Sequence, residues 1–535
     1  MIHADKSDYE KQQILIASLL VKKVLPQTAL SVQLIETHIS WVLIAGDYAY
    51  KIKKALNLEF LDFTELENRQ FYCNEEIRLN SRLAPEIYLD VIPIGGSPAS
   101  PEFNARPAIE YAVRMRRFPQ ENILAHLLEQ DAVSASLIDN LAASLADFHN
   151  SLPPSMDAPV FGSPELVYSS ITQNLEQLSA SLLDPVDCKL ATNLSDTTQL
   201  EFNRCKENLQ VRRDLGCTRE CHADLHLGNI VLIENHLVPF DGIEFKPALR
   251  WIDVMDEVAF LHMDLLHAQR PDLAFRFLNV YLAATGDYAG ISVLRLYIAY
   301  RAEVRAKIYA LRAMQLDNGA DQNHSFATCH GYLALAEKCL IRHCPALIIT
   351  HGLPGSGKTT YSQTALQCFQ AIRIRSDVER KRLFGLNPLD NSAAIYAKEI
   401  YTADTSTRTY QHLLELAREI LTAGYSVIVD AAFLKYDHRN QFKQLAQNMS
   451  APFAIMSIKA ATSKLKARIQ LRKNKANDAS DADIGVFDLL KETQDLLLPD
   501  ELFRTVEFIN ESDGYDTTSD TLSWNQLDKL LKRTV

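Results

Sequence analysis

The sequence predicts a protein of mixed α/β and α+β class, in which a β-rich lobe and a helical lobe precede a C-terminal domain with a parallel sheet. Three short β-like segments, residues 32–37, 41–45 and 48–53, and a helical pattern over residues 66–83 indicate the first lobe. Helical patterns dominate from residue 122 to residue 315. Further along the chain, β-like and helical segments alternate, which is typical of a parallel sheet.

These patterns place a domain boundary near residues 340–345. We expect an N-terminal domain over residues 1–340, with a small lobe at about 1–118 and a helical lobe at about 119–340, and a C-terminal domain over residues 345–535. A chain of 535 residues with 47% hydrophobic residues can bury cores for domains of this size.

The composition narrows the class of protein. A net charge of -12 argues against a broad non-specific nucleic-acid surface. The longest apolar runs are shorter than the roughly 20 residues that a membrane helix needs. The nine cysteines are scattered singly, which suits reduced thiols better than a disulfide framework. We therefore expect a cytoplasmic protein without a membrane span, and the sequence does not define its oligomeric state.

The strongest motif is GLPGSGKTT, which matches G-x-x-x-x-G-K-[ST] and lies between a β-like run and a helical pattern. Its glycines let backbone N–H groups converge on phosphate oxygens, Lys358 adds a positive charge, and the Thr359 hydroxyl can bind Mg²⁺. The motif predicts a site for ATP or GTP, and the expected cofactors are ATP and Mg²⁺. The predicted nucleotide-binding residues are Gly352, Leu353, Pro354, Gly355, Ser356, Gly357, Lys358, Thr359 and Thr360.

Charged residues follow the later strands of this domain. Asp377 and Arg380 come after the second strand, where Asp377 can accept the proton of an acceptor hydroxyl or merely cap the next helix. Asp430 ends the strand of SVIVD and is either a metal ligand or a structural turn residue. Arg468 and Arg472 lie four residues apart on a helix, facing a transferred phosphate or forming a solvated basic face.

Through GLPGSGKTT, the D-x-x-R of Asp377 and Arg380, and the late arginine pair, the C-terminal third resembles the zeta-toxin and polynucleotide-kinase-like branch of small P-loop kinases. The resemblance implies that Asp377 is the general base. It also implies that Arg468 and Arg472 form a lid over the phosphates.

A second motif lies in the N-terminal part, where CHADLHLGNIVL has the spacing H-x-D-x-x-x-x-N. Asp224 and Asn229 precede a β hairpin whose second strand ends in PFDGIEF with Asp241. Phosphoryl transfer depends mostly on positioning and charge neutralisation. We therefore expect Asp224 to orient an acceptor hydroxyl, and Asn229 and Asp241 to bind Mg²⁺.

This segment is close to the H-G-D-x-H-x-x-N signature of aminoglycoside phosphotransferases and choline-kinase-like enzymes, and DVMDEVAF resembles their following D-x-x-x-D-x-A element. The resemblance implies a two-lobed protein-kinase-like fold with Asp224 as the catalytic base. It further implies that Lys51 or Lys53 is the phosphate lysine, paired with Glu76.

Two features depart from that family pattern. The loop THISW lacks the glycine pattern of protein kinases, and Ala223 replaces the usual glycine, so a degenerate kinase fold kept for packing or regulation is an alternative. Cys217, Cys221, His222 and His226 also have the spacing C-x-x-x-C-H-x-x-x-H of a zinc site, although adjacent ligands fit tetrahedral geometry poorly.

The order of the two domains resembles that of bacterial proteins that join an aminoglycoside-phosphotransferase-like domain to an ATP-binding P-loop domain. We therefore expect an ATP- and Mg²⁺-dependent phosphotransferase whose partners are a nucleotide and a small-molecule or nucleotide hydroxyl. One alternative is a nucleotide-dependent regulatory switch with little net transfer. Another is a nucleic-acid end kinase, which the acidic net charge does not favour.

Overall fold

The computed structural model describes residues 6–21, 32–58, 61–155, 161–316, 319–387, 403–475, 483–511 and 517–532. Contacts within the chain define two compact units. Unit 1 comprises Met1–Gln173 and Leu209–Asp264, and unit 2 comprises Asn174–Asn208 and Leu265–Val535.

The start of unit 1 is a β-rich lobe that carries two helices. Its elements are α1 (Lys6–Val21), β1 (Gln33–Glu36), β2 (Ser40–Ala45), β3 (Tyr48–Lys53), β4 (Asn57–Leu58), β5 (Leu61–Asp62), α2 (Leu66–Asn80), β6 (Tyr88–Ser97), β7 (Ser100–Phe103) and β8 (Glu110–Arg116). The main sheet is antiparallel with strand order β1-β2-β3-β8-β6-β7 among the described residues. The predicted strands and the helix after them are confirmed, although α2 ends at Asn80 rather than near residue 83.

The sequence patterns predict neither α1 nor β7. Leu15 and Leu19 of α1 are buried in the same core cluster as Leu43 and Ile52 of the sheet. The apolar residues of α1 form one run at its C-terminal end instead of recurring every three or four residues, so the helical period is weak. Strand β7 contains Pro101 and only one strongly β-forming residue, which hides it from propensity arguments.

The middle of the chain is mostly helical, as predicted. Its helices are α3 (Leu124–Glu129), α4 (Ala135–Ser151), α5 (Pro164–Ser181), α6 (Pro185–Asp214), α7 (Pro247–Arg250), α8 (Val254–His267), α9 (Pro271–Thr285), α10 (Ile291–Gln315) and α11 (Ala320–Leu340), with 3-10 turns at Gln120–Asn122, Leu227–Asn229 and Tyr288–Gly290. Short antiparallel pairs join β9 (Thr218–Glu220) to β12 (Trp251–Asp253) and β10 (Ile230–Ile233) to β11 (His236–Pro239). The second pair is the predicted hairpin after the H-x-D motif.

The C-terminal part of unit 2 is built on a parallel sheet. Its strands are β13 (Leu347–His351), β14 (Ile372–Arg375), β15 (Val427–Asp430), β16 (Phe453–Lys459) and β17 (Thr505–Ile509), and its described helices are α12 (Lys358–Phe369), α13 (Ser376–Leu383), α14 (Ala403–Thr422), α15 (Tyr436–Asn448), α16 (Thr462–Lys475), α17 (Ile484–Thr493), α18 (Pro499–Leu502) and α19 (Thr521–Lys532). The strand order is β14-β15-β13-β16-β17, with every neighbouring pair parallel. The predicted fold class is confirmed, and β17 is the strand that the sequence patterns miss.

None of the described helices combines the length and the apolar composition that a membrane crossing requires.

One buried carboxyl group in the helices of unit 2 has no charged partner among the interactions described for it. Glu303 of α10 is fully buried and accepts a hydrogen bond from the Thr198 hydroxyl of α6 at 2.9 Å. Burial raises the pKa of Glu303 to about 8, and the Thr198 hydrogen bond only partly offsets this rise. The folded protein therefore keeps this carboxyl protonated at neutral pH.

We expect Glu303→Gln to stabilise the protein increasingly as the pH rises from 5 to 8. The unfolded chain releases the Glu303 proton near the ordinary pKa of 4.5, whereas the folded protein holds it up to about 8. Between these values the folded state binds more protons, so its stability falls by about 1.4 kcal/mol per pH unit. Glutamine carries no such proton. Thermal unfolding at several pH values measures the effect.

The matched control is Glu337→Gln on the exposed face of α11. It should leave the pH dependence of the unfolding temperature unchanged. A gain for Glu303→Gln that is the same at pH 5 and pH 8 would contradict the linkage.

Candidate active sites

The glycine loop between β13 and α12 has the backbone of a phosphate cradle. Gly352 has a φ of +148°, and a Cβ there would lie 2.5 Å from the carbonyl oxygen of Ile458 in β16. Gly355 has a φ of +83°, and its Cβ would lie 2.9 Å from the Leu465 carbonyl oxygen. Only glycine fits this combination of left-handed backbone and close packing. Helix α12 then begins at Lys358, so its N-terminus opens at this loop.

The side chains of the loop fit a bound polyphosphate. The Lys358 ammonium donates to the carbonyl oxygens of Gly352 and Leu353 at 3.0 and 3.1 Å, which holds it over the loop. The Ser356 hydroxyl is buried and has no hydrogen-bond partner within the described chain. Thr359 is exposed in the first turn of α12. An unpartnered buried hydroxyl is costly, and a ligand oxygen at the loop would satisfy it.

Asp430 ends β15 next to the loop. Its carboxylate accepts a hydrogen bond from the Ser362 hydroxyl of α12 at 3.2 Å and lies 3.9 Å from the Nε of Arg375. The side chain is 4% exposed. Arg375 is also its register partner across the β14–β15 pair. Asp430 is therefore a buried carboxylate beside the phosphate-binding helix, where the sequence predicts a metal ligand.

Asp377 and Arg380 lie together in the first turns of α13, directly after β14. The Arg380 guanidinium donates to Asp377 Oδ1 at 3.2 Å, and the Asp377 side chain is 30% exposed. The N-cap position of α13 is Arg375, which makes no capping hydrogen bond with its side chain, so Asp377 lies in the first turn rather than at the cap. The carboxyl ends of β13, β14 and β15 share one edge of the parallel sheet, which brings this pair to the edge that carries the glycine loop.

Arg468 of α16 contacts the backbone of the glycine loop. Its guanidinium donates to the carbonyl oxygens of Gly355 at 3.5 Å and Asn510 at 3.2 Å. Arg472 lies on the same helix, but its side chain is outside the described residues. A contact of the late arginines with the glycine loop is therefore described for Arg468 alone, and their role over the phosphates stays a prediction.

Two residues of this site carry no sequence signal. Asn510 follows β17, and its amide donates to the Ser356 carbonyl oxygen at 2.8 Å, which fixes the loop from the far side of the sheet. His351 precedes Gly352, and burial lowers its pKa to about 4, with the Arg439 and Lys358 charges acting in the same direction. His351 is therefore neutral beside Lys358. Neither residue belongs to a motif, because each is brought to the loop by a parallel strand.

Unit 1 contains a buried row of alternating charges. Lys51 donates to Glu76 at 2.8 Å and to Asp241 at 2.5 Å. Lys53 donates to the other oxygen of Glu76 at 2.7 Å and also to Glu244. The row runs Asp241, Lys51, Glu76, Lys53, Glu244 and joins β3, α2 and the loop after β11. The predicted pairing of Glu76 with a β3 lysine is present twice.

The electrostatics of this row distinguish the two lysines. Burial alone would lower the pKa of Lys51, but the Asp241 and Glu76 carboxylates raise it well above its ordinary value. Burial alone would raise the pKa of Glu76, yet the two ammonium groups hold it below its usual range. Lys53 is fully buried, whereas Lys51 reaches Asp241, whose side chain is 44% exposed. Lys51 is thus the lysine that faces the open side of the site.

The loop of the H-x-D motif holds Asp224 and Asn229 together. The Asn229 amide donates to Asp224 Oδ2 at 2.9 Å and to its carbonyl oxygen at 3.1 Å. His226 lies 3.5 Å from the same carboxylate. Asp224 is 33% exposed, while Asn229 is buried. The arrangement leaves one carboxylate partly open to solvent and fixes it from one side.

Glu257, in the second half of the DVMDEVAF element, fixes this loop from within. Its carboxylate accepts from the Ala223 backbone N–H at 2.5 Å and contacts His149 Nε2 at 2.9 Å. Burial would raise the pKa of Glu257, but the His149 hydrogen bond and the nearby His222 hold it below its ordinary value. Ala223 has a φ of +73°, so alanine occupies a left-handed position where the family pattern has glycine.

The structure does not assemble the zinc site considered from the sequence. Within the described residues, the metal-type grouping of side chains is His149, Cys221 and Glu257, and it contains neither Cys217 nor His226. The His222 ring lies 2.9 Å from the Phe240 carbonyl oxygen through Nε2 and accepts from the Asp224 N–H through Nδ1. Spacing along the chain suggested convergence, but the loop directs these side chains to different partners.

These features define the class of protein: a kinase-like domain fused to a P-loop nucleotide-binding domain. The model of the AAA domain family matches residues 347–497. The uncharacterized protein Rv2004c of Mycobacterium tuberculosis is 30% identical over 457 residues, covering 83% of this chain and 87% of the relative, and a Mycobacterium bovis protein matches equally. The chain belongs to the same family as these mycobacterial proteins, and the predicted two-domain fusion is confirmed.

Several solved structures show partial similarity. Choline kinase from Cryptosporidium parvum Iowa II has 12% identity and a TM-score of 0.38, covering 62% of this chain and 96% of that chain. Amicoumacin kinase hAmiN in complex with AMP-PNP, Ca2+ and Ami has 14% identity and a TM-score of 0.37, covering 62% and 95%. A gluconokinase from Sinorhizobium meliloti 1021 has 18% identity and a TM-score of 0.24, covering 36% and 91%. Similarities at this level do not assign a substrate.

The two β3 lysines should differ in their contribution to stability. Lys53→Met leaves Glu244 and one oxygen of Glu76 as buried, uncompensated charges, and we expect a loss of about 3–5 kcal/mol. Lys51→Met also removes one donor to Glu76, but its second partner is the half-exposed Asp241, which water can solvate, so its loss should be smaller. Urea unfolding of both variants without nucleotide measures the difference. Equal losses, or a larger loss for Lys51→Met, would contradict the assignment of Lys53 as the structural lysine.

Gly352→Ala should weaken ATP binding at the glycine loop. The added Cβ would strike the Ile458 carbonyl oxygen, so the loop must move, and we expect the Kd to rise at least about tenfold, or 1.4 kcal/mol. Calorimetric titration in an Asp241→Asn background, which removes an expected metal ligand of unit 1, measures the effect. The control is Gly385→Ala, which also has a positive φ, +69°, but has open space around the added Cβ. A Kd equal for both variants would show that the close contact is unimportant.

Proposed function

We propose that unit 2 is an ATP-dependent phosphotransferase that transfers the γ-phosphate to the hydroxyl of a small molecule or nucleotide. The observation that carries this proposal is the partly exposed Asp377–Arg380 pair at the edge of the sheet that holds the glycine loop. A protein that only binds nucleotide has no need for a carboxylate and an arginine at this edge. The match to the AAA domain model supports the nucleotide-binding half of the proposal.

Short contacts link strand β14, which precedes Asp377, to the helix that follows the glycine loop. Arg373 of β14 donates to the Thr359 carbonyl oxygen at 3.1 Å and the Ser362 hydroxyl at 3.2 Å, both in α12. Arg375 faces Asp430. Strand β14 therefore fixes the start of α13 relative to α12, the helix that begins at the glycine loop. Such rigid positioning supplies a large share of the rate in phosphoryl transfer.

Each residue of the site has a role in the proposed reaction. The loop amides and Lys358 bind the β- and γ-phosphates, and Arg468 offsets charge at the loop. Asp377 accepts the proton of the acceptor hydroxyl, and Arg380 holds the Asp377 carboxylate in place. Thr359 and Asp430 are the groups that would hold Mg²⁺. When bound, Mg²⁺ supplies charge neutralisation at the phosphate oxygens.

Unit 1 supports the same class of reaction with a different set of groups. Asp224 is the proposed base, and Lys51 is the proposed phosphate lysine because it faces the open side of the charge row. Asn229 and Asp241 are the proposed metal ligands, and oxygen donors of this kind suit Mg²⁺. All nine cysteines are free thiols, which supports a reducing compartment such as the cytoplasm.

A panel of phosphate acceptors tests the proposal. ATP labelled at the γ-phosphate is incubated with aminoglycosides, sugars, nucleosides and oligonucleotide ends, using wild type, Asp377→Asn and Asp224→Asn. We expect each asparagine variant to lose transfer at its own site by at least about 100-fold, because the proton acceptor is removed while the shape is kept. The labelled product that disappears identifies the acceptor of that unit.

The controls separate transfer from binding. Lys358→Ala should abolish ATP binding at unit 2, whereas Asp377→Asn should leave the Kd for ATP unchanged. Tight, Lys358-dependent binding without a labelled product from any acceptor would favour a nucleotide-dependent switch. Product only on oligonucleotide ends would favour a nucleic-acid end kinase.

A further inference from the structure

Among the described strands, β14 lies at the edge of its sheet, and the Asn279 side chain of α9 pairs with its open side. The Asn279 amide is 4% exposed, and its nitrogen donates to the Ala371 carbonyl oxygen at 3.0 Å. Its oxygen accepts from the Arg373 N–H at 2.6 Å. One side-chain amide thus pairs with the backbone on both sides of Ile372, as a neighbouring strand would.

A second attachment joins α9 to the far end of α13. The Arg382 guanidinium donates to the Ala283 carbonyl oxygen in the last turn of α9 at 2.5 Å and also to Glu379. Glu379 is 1% exposed and lies 3.2 Å from His412 of α14. Gly286 ends α9 with a φ of +76°, and a Cβ there would lie 2.7 Å from Arg382 Nε. Glycine at this position leaves room for the guanidinium.

The two attachments lie on either side of the proposed acceptor edge. Asn279 holds the backbone before Asp377, and Arg382 holds the helix after Arg380. Helix α9 also packs against α12, the helix that begins at the phosphate cradle. The segment that carries the base is therefore fixed at both ends by one helix that contributes no residue to either phosphate site.

We infer that α9 is a positioning element for the phosphotransferase site of unit 2, acting through Asn279 and Arg382. This inference rests on the proposed function of that site. Helix α9 belongs to the stretch that the sequence assigns to the helical lobe of the N-terminal domain. Correct placement of Asp377 relative to the cradle thus depends on α9, whose residues lie outside the P-loop motif and outside the segment matched by the AAA domain model.

The experiment compares two arginine-to-lysine substitutions. Arg382→Lys keeps the charge next to Glu379 but removes the planar group that also reaches Ala283. The matched control is Arg270→Lys at the N-terminus of α9, where Arg270 pairs with Asp272. We expect Arg382→Lys to lower kcat by about 10- to 100-fold, because small misplacement of a reacting group has large effects on rate. The Kd for ATP should stay within about twofold, and Arg270→Lys should change neither quantity.

A double-mutant cycle separates positioning from general loss of structure. If Arg382 acts through Asp377, Arg382→Lys should cause no further loss of rate in an Asp377→Asn background. Additive losses, a parallel loss of ATP affinity, or rates equal to those of Arg270→Lys would each overturn the inference.

Hydrogen exchange tests the inference without measuring phosphate transfer, so that its outcome does not depend on the proposed function. Absence of any transfer by wild type would reject the function and leave the attachment to be tested by hydrogen exchange. Arg382→Lys should then accelerate exchange in residues 376–386 and leave residues 352–362 unchanged, compared with Arg270→Lys. Exchange that is unchanged in residues 376–386, or accelerated equally in both segments, would overturn the positioning role.

Discussion

The candidate site of unit 2 depends on one constraint of its parallel sheet, that every buried backbone group must be paired. Strand β14 lies at the edge of this sheet among the described residues. On one side β14 pairs with β15, and on the other the Asn279 amide completes the pairing. Without that amide, a buried N–H and a buried C=O would lose their partner, at a cost of about 1–3 kcal/mol for each group. Because β14 leads directly into α13, the pairing that stabilises the edge also sets the position of Asp377.

In unit 1 the main constraint is the burial of charged side chains. Taking ionised groups out of water is costly, and a buried row is tolerated only when each group has good partners. Lys53 meets this condition with two buried carboxylates, while Lys51 shares one of them and also reaches the half-exposed Asp241. The row contains three carboxylates and two ammonium groups, so one negative charge remains. Asp241 is the most exposed carboxylate of the row, so a cation would be most favourable beside it.

The sequence predicts well what is local. GLPGSGKTT defines the cradle because its glycines, lysine and helix start are contiguous. The charge row is predicted only in part, because the two-residue period of a strand puts Lys51 and Lys53 on the same face and gives no reason to choose between them. The structure separates them by burial. Glu244 carries no signal at all, since its relation to Lys53 depends on a loop nearly two hundred residues away.

Three of the residues that the sequence does not predict share one physical property. Asn510, Asn279 and Arg382 contact backbone groups of segments distant in the chain, and backbone groups are the same for every residue type. No spacing rule records such contacts. Helix α1 is missed for a related reason: the burial of Leu15 and Leu19 becomes evident only from the sheet against which they pack.

The two candidate sites would bind charged ligands by different means, and this determines which substitutions each would tolerate. The cradle of unit 2 uses backbone N–H groups held by glycines, so its sensitivity lies in shape: a single methyl group at Gly352 meets a carbonyl oxygen of β16. The row of unit 1 uses side-chain charges held by one another, so its sensitivity lies in charge balance, while Ala223 already shows tolerance of a methyl group at a left-handed position. Substitution of a glycine by a larger residue should therefore impair the site of unit 2 more than the site of unit 1.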